Sequence, residues 1–169
     1  EECGFGPAVV SLSNASTNCT GTLIHPLVIL TAAHCGSYSS ARITDRMGEG
    51  RVVPIDHCEQ NPNWNGSGDV GWDFGYCVLT EPVNDIPIIP PTYGCEFDLY
   101  MVQGQTVTLC GFGQYIPESQ DGYKRFGESK ITNVDGANGY AVLTVGPDEG
   151  AVACPGDSGG PLLIQIEDG

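Results

Sequence analysis

Short apolar runs separated by turn-forming residues are the sequence feature that most restricts the fold. The 169-residue chain contains 24 Gly and 12 Pro, and these residues repeatedly interrupt the apolar runs. Runs of this kind predict strands and turns with few helices. The sequence therefore predicts an all-β fold, with strands expected at residues 8–12, 19–24, 27–31, 41–44, 51–56, 74–79, 106–111, 128–134, 140–145 and 161–167.

The cysteine content indicates an oxidising compartment. Eight Cys occur in the chain, and no pair has the Cys-x-x-Cys spacing of a metal site. The chain begins Glu1-Glu2-Cys3 without a charged and then apolar leader, so we expect any signal peptide to have been removed. No apolar run approaches the roughly 18 residues that span a bilayer. These features predict a secreted or periplasmic protein that has no membrane partner.

The acidic character of the chain argues against nucleic acid as a partner. A formal net charge of −15 repels the phosphates of nucleic acids, and we interpret the acidic residues as keeping a secreted protein soluble. Several of them are candidate calcium ligands, but their spacing fits no known calcium loop. No metal or cofactor is predicted. The acidic residues considered were Asp45, Glu49, Asp56, Glu59 and Asp69.

The octapeptide Cys-Pro-Gly-Asp-Ser-Gly-Gly-Pro at residues 154–161 contains the strongest candidate for a reactive side chain. Ser158 lies between Asp157 and two glycines, and Gly156 precedes it by two positions. A nucleophilic serine needs a sharply turning backbone, which glycine permits because it has no Cβ. A lone Ser in a Gly-rich turn is weak evidence, so the hypothesis depends on partners elsewhere in the chain.

Two upstream residues are candidate partners of Ser158. His34 ends the segment Thr-Ala-Ala-His after an apolar strand, and Asp73 directly precedes the predicted strand at 74–79. Asp69 is the rival acidic residue, but no strand follows it directly. The other histidines lie in no such motif and are expected at the surface: His25 and His57.

With these motifs in the order His34, Asp73 and Ser158, the chain resembles the chymotrypsin/trypsin family of serine endopeptidases over most of its length. It is similar to the compact bacterial-type members. The resemblance implies two antiparallel Greek-key β-barrels, the second incomplete at its C-terminus. The Pro-rich segment at 82–91 resembles the family's crossover between the barrels.

The resemblance also implies a domain division and a set of roles. Residues 1–88 are expected to form the barrel with the catalytic His and Asp, and residues 89–169 the barrel with the catalytic Ser. In the family, the histidine is the general base, the aspartate orients it and the serine attacks a peptide carbonyl. The oxyanion hole would be formed by the backbone N–H groups of Gly156 and Ser158. Asp157 would pair with the N-terminal ammonium that zymogen cleavage exposes.

Substrate preference and disulfides follow from the same resemblance. Val152 takes the position of the primary-pocket floor, and with Ala153 it predicts cleavage of polypeptides after apolar or small residues, because neither side chain balances a buried cation. The resemblance pairs Cys19 with Cys35, and we expect Cys58 to pair with Cys77, although spacing alone does not settle connectivity. Four cysteines remain unassigned: Cys3, Cys95, Cys110 and Cys154.

Both ends of the chain are shorter than the resemblance implies. The family's Ile/Val-x-Gly-Gly start and its last strands and helix are absent, which predicts a trimmed or zymogen-like fragment. On that expectation the isolated chain is catalytically silent and the complete protein is active, with the missing C-terminal segment or an inhibitor as further partners. The alternative hypothesis is a non-catalytic binding protein that retains the protease fold.

Overall fold

The computed structural model describes residues 6–66, 70–114, 121–134, 142–144 and 150–166. It confirms the predicted all-β fold, to which it adds short helices at Ala33–Cys35, Val70–Trp72 and α1 (Cys95–Tyr100). The strands are β1 (Val9–Ser13), β2 (Asn18–His25), β3 (Val28–Thr31), β4 (Ser40–Ile43), β5 (Arg51–Gln60), β6 (Gly75–Leu79), β7 (Thr106–Gly111), β8 (Arg125–Val134), β9 (Val142–Thr144) and β10 (Leu162–Leu163).

The first six strands form a closed antiparallel barrel in the order β1-β2-β3-β6-β5-β4. Pairing of Leu12 on β1 with Ala41 on β4 closes it. Apolar side chains fill its interior, and the large ones, such as Leu23 and Ile29, are almost fully buried. Burial of one such side chain contributes about 1.5–3 kcal/mol. The barrel therefore provides a rigid base for the loops that leave its strands.

The second sheet covers part of the outside of this barrel. On β1, Val10 and Leu12 point into the barrel, while Val9 packs outward against Cys110 and Phe112. This alternation is that of a pleated strand. Residues 19–23 of β2 are buried without interruption. The continuous burial follows because the barrel core covers one face of β2 and the second sheet covers the other.

The second sheet has four described strands in the order β10-β7-β8-β9. Strand β10 is shorter than the predicted strand at 161–167, because only Leu162 and Leu163 pair with β7. The predicted hairpin between 128–134 and 140–145 appears as antiparallel pairing of β8 with β9, and its turn at 135–139 lies outside the described residues.

The Pro-rich segment follows the barrel surface from one sheet to the other. Val83 N–H donates to Pro26 O (2.8 Å), and Ile89 N–H donates to Leu23 O (3.1 Å). The next element, α1, has six residues and was not predicted. None of the helices within the described ranges is long and apolar enough to cross a membrane.

Two disulfides connect elements of the barrel. Cys19–Cys35 joins β2 to the helix after β3, and Cys58–Cys77 joins directly paired positions of β5 and β6. These are the two pairings that the sequence analysis expected. The paired cysteines are separated by 16 and 19 positions in sequence, and each loop closure contributes about 3 kcal/mol on the chain-entropy account. In the described part of the chain, three cysteines are unpaired: Cys95, Cys110 and Cys154.

Candidate active site

His34 is presented by a single helical turn at the end of β3. Its neighbours Ala33 and Cys35 are buried, and Cys35 is held by its disulfide. Gln60 Nε2 donates to Ala33 O (2.6 Å), which attaches the turn to β5. Because the turn is fixed on both sides, the His34 side chain projects outward from a rigid support.

Asp73 binds His34 through both carboxylate oxygens. Oδ1 accepts from the His34 backbone N–H (2.8 Å), and Oδ2 lies 2.6 Å from His34 Nδ1. The Asp73 side chain is 18% exposed, against 45% for His34. A carboxylate only accepts hydrogen bonds, so this contact places the imidazole proton on Nδ1 and leaves Nε2 as an acceptor. The rival Asp69 lies outside the described residues.

Ser158 lies in a turn between the two sheets. Asp157 N–H donates to Cys154 O (2.9 Å), and Gly160 N–H donates to Asp157 O (2.8 Å), so two turns follow one another around the serine. Gly156 has φ +104°, a conformation that residues with a Cβ rarely adopt. The glycines around Ser158 therefore form the sharp turn that was predicted from the sequence.

His34 and Ser158 line the same cleft, which has a volume of about 420 Å³. Phe112, Pro155 and Gly156 also line it, so both sheets contribute to its walls. The hydrogen bonds of the described residues do not include one from Ser158 Oγ to His34 Nε2. Such contacts are often long in unliganded enzymes and tighten when substrate binds.

The carboxylate of Asp157 is bound by backbone amides. Oδ1 accepts from Gly113 N–H (2.7 Å), and Oδ2 accepts from Cys154 N–H (2.9 Å). A Cβ on Gly113 would collide with this carboxylate, so a side chain at that position would displace it. The predicted partner of Asp157, an N-terminal ammonium, involves residues outside the described part of the chain, and that ion pair stays a prediction.

Val152 and Ala153 line a neighbouring cavity of about 420 Å³ rather than the cleft of His34 and Ser158. Asp157 and Arg125 also line this cavity. Arg125 was not predicted as a site residue, because no motif surrounds it. Its guanidinium binds Asp121 and holds the pKa of that carboxyl below its ordinary value. The other histidines, His25 and His57, are exposed, as the sequence analysis expected.

No disulfide partner was predicted for Cys110, and in the structure this residue of β7 is buried against Val9 of β1. Burial raises the pKa of its thiol from 9.0 to about 11, against an opposing effect of Lys124. At pH 8 about 0.1% of such a thiol is ionised, and only the thiolate is nucleophilic.

We therefore expect iodoacetamide at pH 8 to modify the exposed Cys95 well before Cys110. The Cys110 rate should rise about tenfold per pH unit up to pH 10, in proportion to the thiolate fraction. Mass spectrometry of the digested protein measures both rates. Equal rates at Cys95 and Cys110 in the folded protein would contradict the burial and the raised pKa of Cys110.

Comparison with known proteins agrees with this architecture. A family model described as Trypsin matches residues 2–166, and the chain belongs to that family. Glutamyl endopeptidase of Bacillus licheniformis is 26% identical over 62% of this chain and 35% of its own length. Vitamin K-dependent protein C of Mus musculus is 26% identical over 93% of this chain and 39% of its own. Trypsin 5G1 of Aedes aegypti is 23% identical over 93% of this chain and 66% of its own length. The chain thus spans well under half of the first two relatives.

Proposed function

We propose that the protein is a secreted serine endopeptidase in which His34, Asp73 and Ser158 form the catalytic triad. The observation that carries the proposal is the two-point contact of Asp73 with His34, on a cleft that Ser158 shares. Membership of the trypsin family supports a polypeptide as the substrate. The two disulfides support an oxidising, extracellular location.

In the proposed reaction, Ser158 Oγ attacks the carbonyl carbon of a peptide bond while His34 Nε2 takes its proton. His34 then gives the proton to the leaving amine as the C–N bond breaks, which leaves an ester on Ser158. Water repeats the sequence with His34 as base, releases the carboxylic acid and restores the serine. Asp73 stabilises the imidazolium at both stages.

The backbone around Ser158 supports an oxyanion site. Neither Gly156 N–H nor Ser158 N–H donates a hydrogen bond to another described residue, whereas the intervening Asp157 N–H is bound to Cys154 O. The two N–H groups are therefore available to the oxygen that becomes negative in the tetrahedral intermediate. Removing one such donor in other enzymes costs about 2.7–4 kcal/mol of transition-state stabilisation.

The cavity beside Ser158 favours apolar or small substrate side chains. Val152 and Ala153 line it. Its only charged lining groups among the described residues are already engaged, Arg125 by Asp121 and Asp157 by backbone amides. Recognition of a glutamyl side chain, which the name of one relative suggests, would bring a second carboxylate to Arg125, whose charge Asp121 already balances.

The domain division proposed from the sequence, 1–88 with His34 and Asp73 and 89–169 with Ser158, is kept as part of this proposal. The barrel of β1–β6 and the sheet of β7–β10 support it.

The proposed function is tested with the full-length protein on a mixed peptide library, with cleaved bonds identified by mass spectrometry. Cleavage after Ala, Val, Leu or Phe is expected. Cleavage confined to bonds after Glu would overturn the specificity while leaving the endopeptidase proposal in place. A stable fold without any cleavage would instead favour a binding protein that retains the protease fold.

A further inference from the structure

Thr20 on β2 connects the closed barrel to the turn that carries Ser158. It is completely buried, on the face of β2 that the second sheet covers. Its backbone N–H donates to Ser158 O (2.8 Å), and its carbonyl accepts from Thr31 Oγ1 (2.9 Å). The main chain of Thr20 therefore connects the end of β3 to the serine turn.

The Thr20 hydroxyl makes two more contacts with the second half of the chain. Oγ1 donates to Gly156 O (2.8 Å) and accepts from Phe112 N–H (3.1 Å). A threonine hydroxyl has one hydrogen to donate, and here that hydrogen is committed to Gly156. Phe112 N–H donates to a lone pair of the same oxygen, so the two hydrogen bonds together hold the Thr20 hydroxyl in a single orientation.

The two carbonyls that Thr20 binds belong to the residues whose N–H groups form the proposed oxyanion site. Thr20 N–H holds Ser158, and Thr20 Oγ1 holds Gly156. We propose that Thr20 is a positioning residue, which fixes the orientation of both oxyanion donors from outside the cleft. This inference rests on the proposed function.

The support behind Thr20 is rigid. Its neighbour Cys19 is held by the disulfide to Cys35, and β2 pairs with β1 on one side and β3 on the other. Thr20 is absent from the lining of the cleft, so it acts through Gly156 and Ser158 rather than on substrate. Displacement of a reacting group by about 1 Å can lower the reaction rate about 10²-fold.

Thr20→Val tests the hydroxyl because valine has the same shape without the two hydrogen bonds. We expect kcat for a peptide substrate to fall about 10- to 100-fold, with KM changed by less than about threefold, because the donors act mainly in the transition state. Thr20→Ser keeps the hydroxyl and should restore kcat to within about threefold of the wild type.

Thr22→Val is the matched control. Thr22 is buried on the same face of β2, two residues along, and its side chain makes no hydrogen bond to another described residue. The same substitution there should leave kcat unchanged. A loss of kcat in Thr22→Val equal to that in Thr20→Val, or a failure of Thr20→Ser to restore kcat, would overturn the proposal.

Hydrogen–deuterium exchange separates this inference from the proposed function. Within residues 154–158, the amides of Cys154 and Asp157 donate hydrogen bonds inside the serine turn. In Thr20→Val these two amides should exchange faster than in the wild type and in Thr22→Val, whether or not the protein cleaves peptides. If Thr20→Val does not fold, Thr20→Ala removes the same hydroxyl without overfilling the site and is measured instead. An inactive wild type would refute the proposed function alone. Unchanged exchange at 154–158 would refute the role of Thr20.

Discussion

Ser158→Ala in the full-length protein is expected to lower kcat for peptide hydrolysis by about 10⁴- to 10⁶-fold. Loss of the nucleophile removes the covalent route, and the activity that remains in comparable enzymes comes from substrate binding and the oxyanion donors. The substitution deletes one oxygen atom at a position that lines an open cleft, so the fold should be unaffected. Steady-state kinetics and a thermal melt of both proteins measure the two effects.

Ser16→Ala provides the comparison, since Ser16 lines the same cleft. It has no role in the proposed chemistry, so Ser16→Ala should retain kcat within about threefold. If Ser158→Ala kept comparable turnover while Ser16→Ala lost it, Ser158 would not be the nucleophile.

Asp73→Asn is expected to lower kcat about 10⁴-fold without unfolding the protein. The amide retains an oxygen that accepts from the His34 backbone N–H, the contact now made by Oδ1. Its NH₂ group then faces His34 Nδ1, which stabilises the tautomer with the proton on Nε2. A protonated Nε2 is unable to take the proton of Ser158 Oγ, so the expected loss lies in the chemical step.

Asp56→Asn is a matched control within the same barrel. Asp56 Oδ2 lies 2.7 Å from His57 Nδ1, a contact close to that of Asp73 with His34, but both side chains are exposed on β5. Asparagine at 56 should leave kcat unchanged. Equal losses in the two variants would show that the Asp73 effect is not specific to the proposed triad.

Much of the fold follows from local sequence patterns. Apolar runs bounded by Gly and Pro predicted the strands of the barrel, and β7 was predicted with the bounds it has, Thr106–Gly111. The length over which each strand pairs with its neighbour was harder to predict. β5 continues to Gln60, beyond the predicted end at residue 56, because it pairs with β6 as far as Gly75. β10 is shorter than predicted because only two of its residues reach a partner strand.

In the site, too, residues in contiguous motifs were predictable from the sequence, whereas residues brought together by long-range contacts were not. The motifs around His34 and Ser158 identified candidate residues because each motif is contiguous in sequence. Thr20 carries no such motif, and its contact with Gly156 joins residues 136 positions apart. The cavity that Val152 and Arg125 line likewise depends on how β8 packs against the serine turn. Contacts of this kind are set by tertiary packing, which local patterns do not encode.

The central claim is that His34 and Asp73 make Ser158 nucleophilic. The most direct measurement is reaction of the full-length protein with a fluorophosphonate, followed by mass spectrometry of the digested protein to locate the adduct. We predict a single adduct on Ser158, formed at least about 10²-fold more slowly in Asp73→Asn because the base is then in the wrong tautomer. Absence of an adduct on Ser158 in the folded wild-type protein, or an adduct formed equally fast without Asp73, would contradict the account.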